Sequence, residues 1–176
     1  MRMSALSVRI AALALLLAAG CGRESEQKSI LVELFYHPLD TTEGLVAQSG
    51  VEIDKQVSAD GGGSLKITAS TPVVARLFEI GDIDVEDARL IYRARVRTQD
   101  VAGRAYLEMW VHFPGKGEYY ARGLDRPLAG TTGWTVEEVP FFLKKGENPD
   151  LIRLNVAIEG TGVVWIDQVR LFKAAP

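Results

Sequence analysis

The chain is short of cysteine, of histidine, of basic charge and of long apolar runs. Cys21 is the single cysteine among 176 residues, so no internal disulfide can form. The two histidines, His37 and His112, stand too far apart for the His-x-x-x-His pair of zinc hydrolases. No Gly-x-Ser-x-Gly elbow and no Cys-plus-His set occurs, which removes the commonest nucleophilic machinery. Lys and Arg number 20 against 23 Asp and Glu, a balance with no electrostatic footprint for nucleic acid. Beyond Leu17 no apolar run approaches the ~20 residues that cross a bilayer as a helix. Gly61-Gly-Gly63 lacks the Lys-Ser/Thr end and the following helix of a phosphate loop, so it is a turn. No stretch shows a convincing helical repeat.

What is present begins at the N-terminus. Arg2 and Arg9 precede Ile10–Leu17, a stretch almost purely Ala and Leu, and Ala18-Ala19-Gly20-Cys21 follows. That order of positive, apolar and small residues is the order of an export signal. The run into Cys21 resembles the lipobox of bacterial lipoproteins, which implies cleavage before Cys21 and acylation of its sulfur, for instance with palmitate. Ala18 departs from the Leu usual in that family, although Leu17 is adjacent. The alternative is an ordinary secretory signal cut near Ala19, with Cys21 an idle thiol. On the lipoprotein reading, residues 1–20 are the signal peptide, 21–28 a flexible polar tether and 29–176 one folded domain. Loss of Arg2 and Arg9 moves the formal charge from −3 to −5, so acyl chains rather than a basic patch hold the membrane. The expected location is the bacterial cell envelope, membrane-anchored and facing the periplasm or the exterior.

From Ser29 onward, apolar residues recur with period two between clusters of Gly, Pro, Asp and Asn, which predicts an all-β sandwich or barrel. The predicted strands are 30–36, 64–69, 73–80, 90–98, 105–113, 134–142, 151–159 and 163–172. Turn signals separate them at 60–63, 81–82, 99–103, 114–117, 146–149 and 160–162. The span 45–57 is open between a short helix and an edge strand. Asp60-Gly-Gly-Gly-Ser-Leu-Lys-Ile67, Tyr92-Arg-Ala-Arg-Val-Arg-Thr98, Gly133-Trp134 and Gly162-Val-Val-Trp-Ile-Asp-Gln-Val-Arg-Leu171 resemble galactose-binding-domain-like jelly rolls. These include many carbohydrate-binding modules. The resemblance implies a jelly-roll β-sandwich of about eight or nine antiparallel strands; it speaks far less to function, since one fold hosts many.

Alternation along 105–113 puts Ala105, Leu107, Met109, Val111 and Phe113 on the core face and Tyr106, Glu108, Trp110 and His112 on the other. An aromatic, carboxylate and imidazole stripe suits sugar, whose C–H faces lie on rings while polar groups bond hydroxyls. A covering loop or edge strand would instead make it a secondary core. Strand 151–159 turns Ile152, Leu154, Val156 and Ile158 inward and Arg153, Asn155, Ala157 and Glu159 outward. In the resembled jelly rolls, consecutive strands alternate between sheets, which sets Arg153 and Asn155 beside Trp110 and Glu108. Tyr119, Tyr120, Arg122 and Asp125, in the connection 115–126, are candidates for a rim, or Tyr119 or Tyr120 caps the sandwich. Arg93, Arg95 and Arg97 form a basic stripe on the opposite sheet, expected to pair across strands with acids. Trp134 and Trp165 are expected in the core.

The resemblance further implies a structural calcium at Asp167, with Glu33 and carbonyls near Asp60 as partners. Gln168 stands where the family commonly has a second acidic residue or Asn. Jelly-roll glycosidases use Glu-x-Asp-x-Glu on one strand; Glu52-Ile-Asp54 begins that pattern and Gln56 ends it, so no catalytic residue is assigned and the chain is expected not to be an enzyme. Two functions follow: a non-catalytic glycan-binding lipoprotein, or an envelope protein whose stripe docks a protein partner or serves a structural role.

Overall fold

A computed structural model describes residues 30–47 and 49–176; the expected export signal, Cys21 and the expected tether lie outside the described residues. Eight antiparallel strands form, with no helix among the described residues. They are β1 (Val32–His37), β2 (Val51–Asp54), β3 (Ser64–Ala69), β4 (Val73–Gly81), β5 (Ala88–Phe113), β6 (Gly117–Arg122), β7 (Leu128–Leu143) and β8 (Leu151–Ala174).

β5 and β8 are long enough to run through both layers of the sandwich. The first half of β5 pairs with the second half of β8, as Leu90 opposite Lys173 and Val96 opposite Ile166. The second half of β5 pairs with the first half of β8, as Ala105 opposite Ile158 and His112 opposite Leu151. The first layer adds β3 and β1 along one side of β8, β2 outside β3, and the C-terminal part of β7 beside β5. The second layer runs β4, β8, β5, β6. The predicted strand pairs 90–98 with 105–113 and 151–159 with 163–172 are therefore each one continuous strand bent at a predicted turn.

The bend is made by glycine. The ladder between β5 and β8 shifts register between Gln99 and Ala102, where Gly103 (φ 113°) meets Gly160 (φ 151°). A Cβ on Gly160 would overlap the carbonyl oxygen of Ala102, and one on Gly103 that of Glu159. Only glycine allows both that backbone conformation and that approach.

Between the layers lies one apolar core. Leu65, Ile67, Leu90, Tyr92, Leu107, Met109, Ile152, Leu154, Val156 and Ile166 are buried there, and those on 105–113 and 151–159 match the predicted inward sets. Trp165 is buried but not in this cluster: it lies on the outer face of the first layer, beneath the Arg97 guanidinium, with Nε1 donating to Asp54 Oδ2 at 3.0 Å. Trp134 is only half-buried, contrary to expectation, because it lies on β7 at the rim of the first layer. Of the Arg stripe, Arg93 pairs as expected, donating to Glu138 across the ladder and lying over the Phe172 ring, whereas Arg97 lies over Trp165 with its Nε buried and unpartnered. β2 makes the open span 45–57 an edge strand in part, and β6 corrects the expected loop 115–126, which holds a short edge strand.

Candidate functional site

The outer face of the second layer is a grid set by register. One row reads Arg76, Asn155, Glu108, Arg122; the next reads Glu79, Arg153, Trp110, Tyr120. A bulge between Arg76 and Phe78 lets both Arg76 and Glu79 share this face. The neighbourhood of Arg153 and Asn155 with Trp110 and Glu108 is thus the one that the resemblance to jelly rolls implies.

The stripe on β5 is half covered and half open. Tyr106 is buried, and its hydroxyl donates to Glu159 Oε1 at 2.7 Å while Arg104 holds the other carboxylate oxygen. Burial and that bond push the Tyr106 phenol up to about 12; the same hydroxyl holds Glu159 below the usual carboxylate range. Glu108 is 3% exposed and accepts three bonds: from Trp110 Nε1 (2.6 Å), Arg122 Nε (2.6 Å) and Asn155 Nδ2 (3.2 Å). Tyr106 and Glu108 are therefore supports, not ligand contacts: their polar atoms are spent within the protein. Sequence alternation finds the face of a residue but not what bridges over it, and Arg122 comes from β6.

What stays open is an aromatic platform. Trp110 is half-buried, with its ring fixed by the bond to Glu108. Tyr120, 55% exposed on the neighbouring edge strand, lies with its centroid 5.1 Å from that of Trp110 at 44°. The Arg122 guanidinium carbon sits 4.5 Å from the Tyr120 centroid, and Glu108 holds that cation's pKa above its ordinary value. Beside the platform, a depression of about 150 Å³ is lined by Arg76, Trp110, Glu118, Arg153 and Asn155. Arg153 donates to Glu79 at 3.1 Å and to Glu118, and these bonds, the one to Glu118 first, raise its pKa. At the end of the stripe, half-buried His112 meets Asp150 through Nδ1.

Tyr119 does not belong to this site. It points to the opposite side of β6, where its ring stands edge-on to Phe113 at 5.7 Å. Taking 115–126 for a loop hid the alternation that separates Tyr119 from Tyr120. Asp125 is exposed beyond the end of β6.

The three acids expected to hold calcium do not converge. Asp167 is buried; its Oδ2 accepts from Ala59 N at 2.8 Å and Ser58 Oγ at 3.4 Å, and its Oδ1 has no partner. Burial pushes its carboxyl above the usual range. Asp60 joins it through Ser58 Oγ at 3.0 Å. Glu33, by contrast, faces Phe172 in the ladder and binds Arg170 at 2.9 Å. Among the described residues no three acidic, His or Cys side chains gather as a metal site. In the same region Lys55 Nζ donates to the carbonyls of Asp40 (2.7 Å) and Gly62 (2.9 Å). The broken acid motif of β2 is likewise engaged elsewhere: Glu52 with Lys66 at 2.8 Å, Asp54 with Trp165.

The fold is similar to the β-sandwich of solved carbohydrate-binding modules. The chain is similar to the CBM22-1 xylan-binding domain of Xyn10C from Paenibacillus barcinonensis, with a TM-score of 0.59 at 17% identity, over 82% of this chain and 96% of that one. It is also similar to the C-terminal family 22 carbohydrate-binding module of Clostridium thermocellum Xyn10B, with a TM-score of 0.57 at 10% identity, over 79% and 91%. A third, the CBM22-1-GH10 modules of Xyn10B from Clostridium thermocellum complexed with xylohexaose, has a TM-score of 0.59 at 12% identity; there the match covers 80% of this chain and 28% of that one. No protein-family model and no curated protein matches the sequence.

Proposed function

We propose that this protein is a non-catalytic glycan-binding lipoprotein that holds a polysaccharide at the outer face of its second layer. The observation that carries the reading is the Trp110–Tyr120 platform, partly open to solvent and flanked by preset hydrogen-bonding groups. Rings so placed offer flat apolar area at little entropic cost, while Arg153, Asn155 and His112 stand where ring hydroxyls would lie. The xylan-binding neighbours support a saccharide ligand at the level of fold. The carboxylates along the face are each engaged by cations or other donors, which suits binding better than acid–base chemistry. The test is a glycan array with the full-length protein, followed by titration of the best ligand into Trp110→Ala. The variant is expected to lose about 1–3 kcal/mol of affinity, more than it loses in stability. Affinity unchanged in Trp110→Ala would move the ligand off this face.

Anchoring is proposed on the sequence around Cys21, through the acylated thiol. In a palmitate-labelling experiment Cys21→Ser is expected to carry no label and to leave the membrane fraction; a labelled mutant would end the lipoprotein reading.

A further inference from the structure

We propose that the depression beside the platform selects an acidic sugar, a uronate residue, through Arg76; the inference rests on the glycan-binding reading and adds the chemical class of the ligand. Four cations stand in the two rows of this face and its flank, and three of them are neutralised: Arg122 by Glu108, Arg153 by Glu79 and Glu118, and Arg104 by Glu159. Arg76 is the exception. Its side chain lines the depression and is exposed, and no hydrogen bond or ion pair of its guanidinium is formed among the described residues.

A second feature points the same way from the floor of the depression. Asn155 is 4% exposed and lies directly across the ladder from Arg76. Its Nδ2 is committed to Glu108, but its Oδ1 is buried without any partner. A buried acceptor left unpaired costs about 1–3 kcal/mol, which a donor from a ligand recovers. The depression therefore sets one unspent, exposed cation at its wall beside one unspent acceptor buried in its floor, which a ligand donor reaches only when the side chains above it give way. Their complement is an anion next to a hydroxyl, the pattern on a uronate ring, where the carboxylate and the ring hydroxyls share one scaffold. The planar Arg76 fork takes a planar carboxylate in two parallel bonds, which a neutral hydroxymethyl group cannot reproduce. The size agrees: about 150 Å³ is below the roughly 300 Å³ of the smallest drug-sized clefts, so it suits one ring, with the rest of the chain lying on Trp110 and Tyr120.

The experiment is calorimetric titration of the full-length protein with a uronate-containing oligosaccharide and with the same oligosaccharide after reduction of its carboxyl groups. The uronate form is expected to bind about tenfold more tightly at low salt, with the difference shrinking as salt rises. Arg76→Gln is expected to bring the two affinities together without moving the melting temperature, because the guanidinium has no partner to lose. Equal affinity for both forms, with binding still lost in Trp110→Ala, would overturn the acidic preference and leave the glycan reading intact. A preference that persists in Arg76→Gln would also overturn it. Failure of every saccharide to bind would remove both proposals together.

Discussion

Leu154→Asp is expected to leave no folded domain at room temperature. Leu154 has no exposed surface and lies between Phe78 of β4 and Met109 of β5 in the middle of the second layer. An aspartate there would lose the packing of the leucine and bury a carboxylate with no donor in reach. Each of these costs several kcal/mol, and together they match the roughly 5–15 kcal/mol that holds a domain together. Far-UV circular dichroism and thermal melting read the outcome. The neighbouring residue is the control for register. Asn155 turns to the other face, and Asn155→Ala is expected to remain folded, though not without cost. Alternation alone marks position 155 as cheap to change, yet its amide holds Glu108 and is buried beneath the ion pairs of that face. Equal tolerance at 154 and 155 would mean that β8 is paired one residue out of register.

Period-two alternation made the core legible from sequence. Strands buried on one face announce themselves, so 105–113 and 151–159 are readable with their inward and outward sets, and the expected turns 99–103 and 160–162 fall where Gly103 and Gly160 make the bend. Edge strands are another matter. β6 reads Gly-Glu-Tyr-Tyr-Ala-Arg and is exposed on most of its length; without a buried face it has no apolar alternation to detect. β2 is only four residues long. Missing β6 had a direct consequence for the site, because Arg122 and Tyr120 enter it from that strand while Tyr119 does not. The contact of Arg122 with Glu108 spans 14 residues and depends on a hairpin whose second strand carries no apolar alternation. Pairing of Glu33 with Arg170 is likewise a choice of partner that spacing along the chain does not reveal.

Glu108→Ala is expected to damage both stability and binding, although the carboxylate is too deeply covered to meet a ligand. Three donors converge on it from three strands: Trp110 on its own strand, Arg122 on β6 and Asn155 on β8. Removing the acceptor lets Arg122 rehydrate, since about a third of its side chain is exposed, but strands the Asn155 amide in a buried position. The expected loss is about 2–4 kcal/mol, below the full penalty of a buried ion pair because one partner can reach water. The effect on binding follows from geometry. With no acceptor for Nε1, the Trp110 ring is free to leave the orientation that brings it against Tyr120, and Arg122 is free to leave the Tyr120 face. Glu108→Gln separates shape from charge: it keeps the volume, yet its amide nitrogen must oppose either Arg122 or Trp110, so an intermediate loss is expected in both readouts. Melting and glycan titration on the two variants decide the matter. If Glu108→Ala melts with the wild type, the three bonds contribute nothing and Trp110 is held by other means. If it is destabilised but binds as before, Glu108 supports the fold alone, and the platform owes its orientation to the packing of Trp110 on Tyr120.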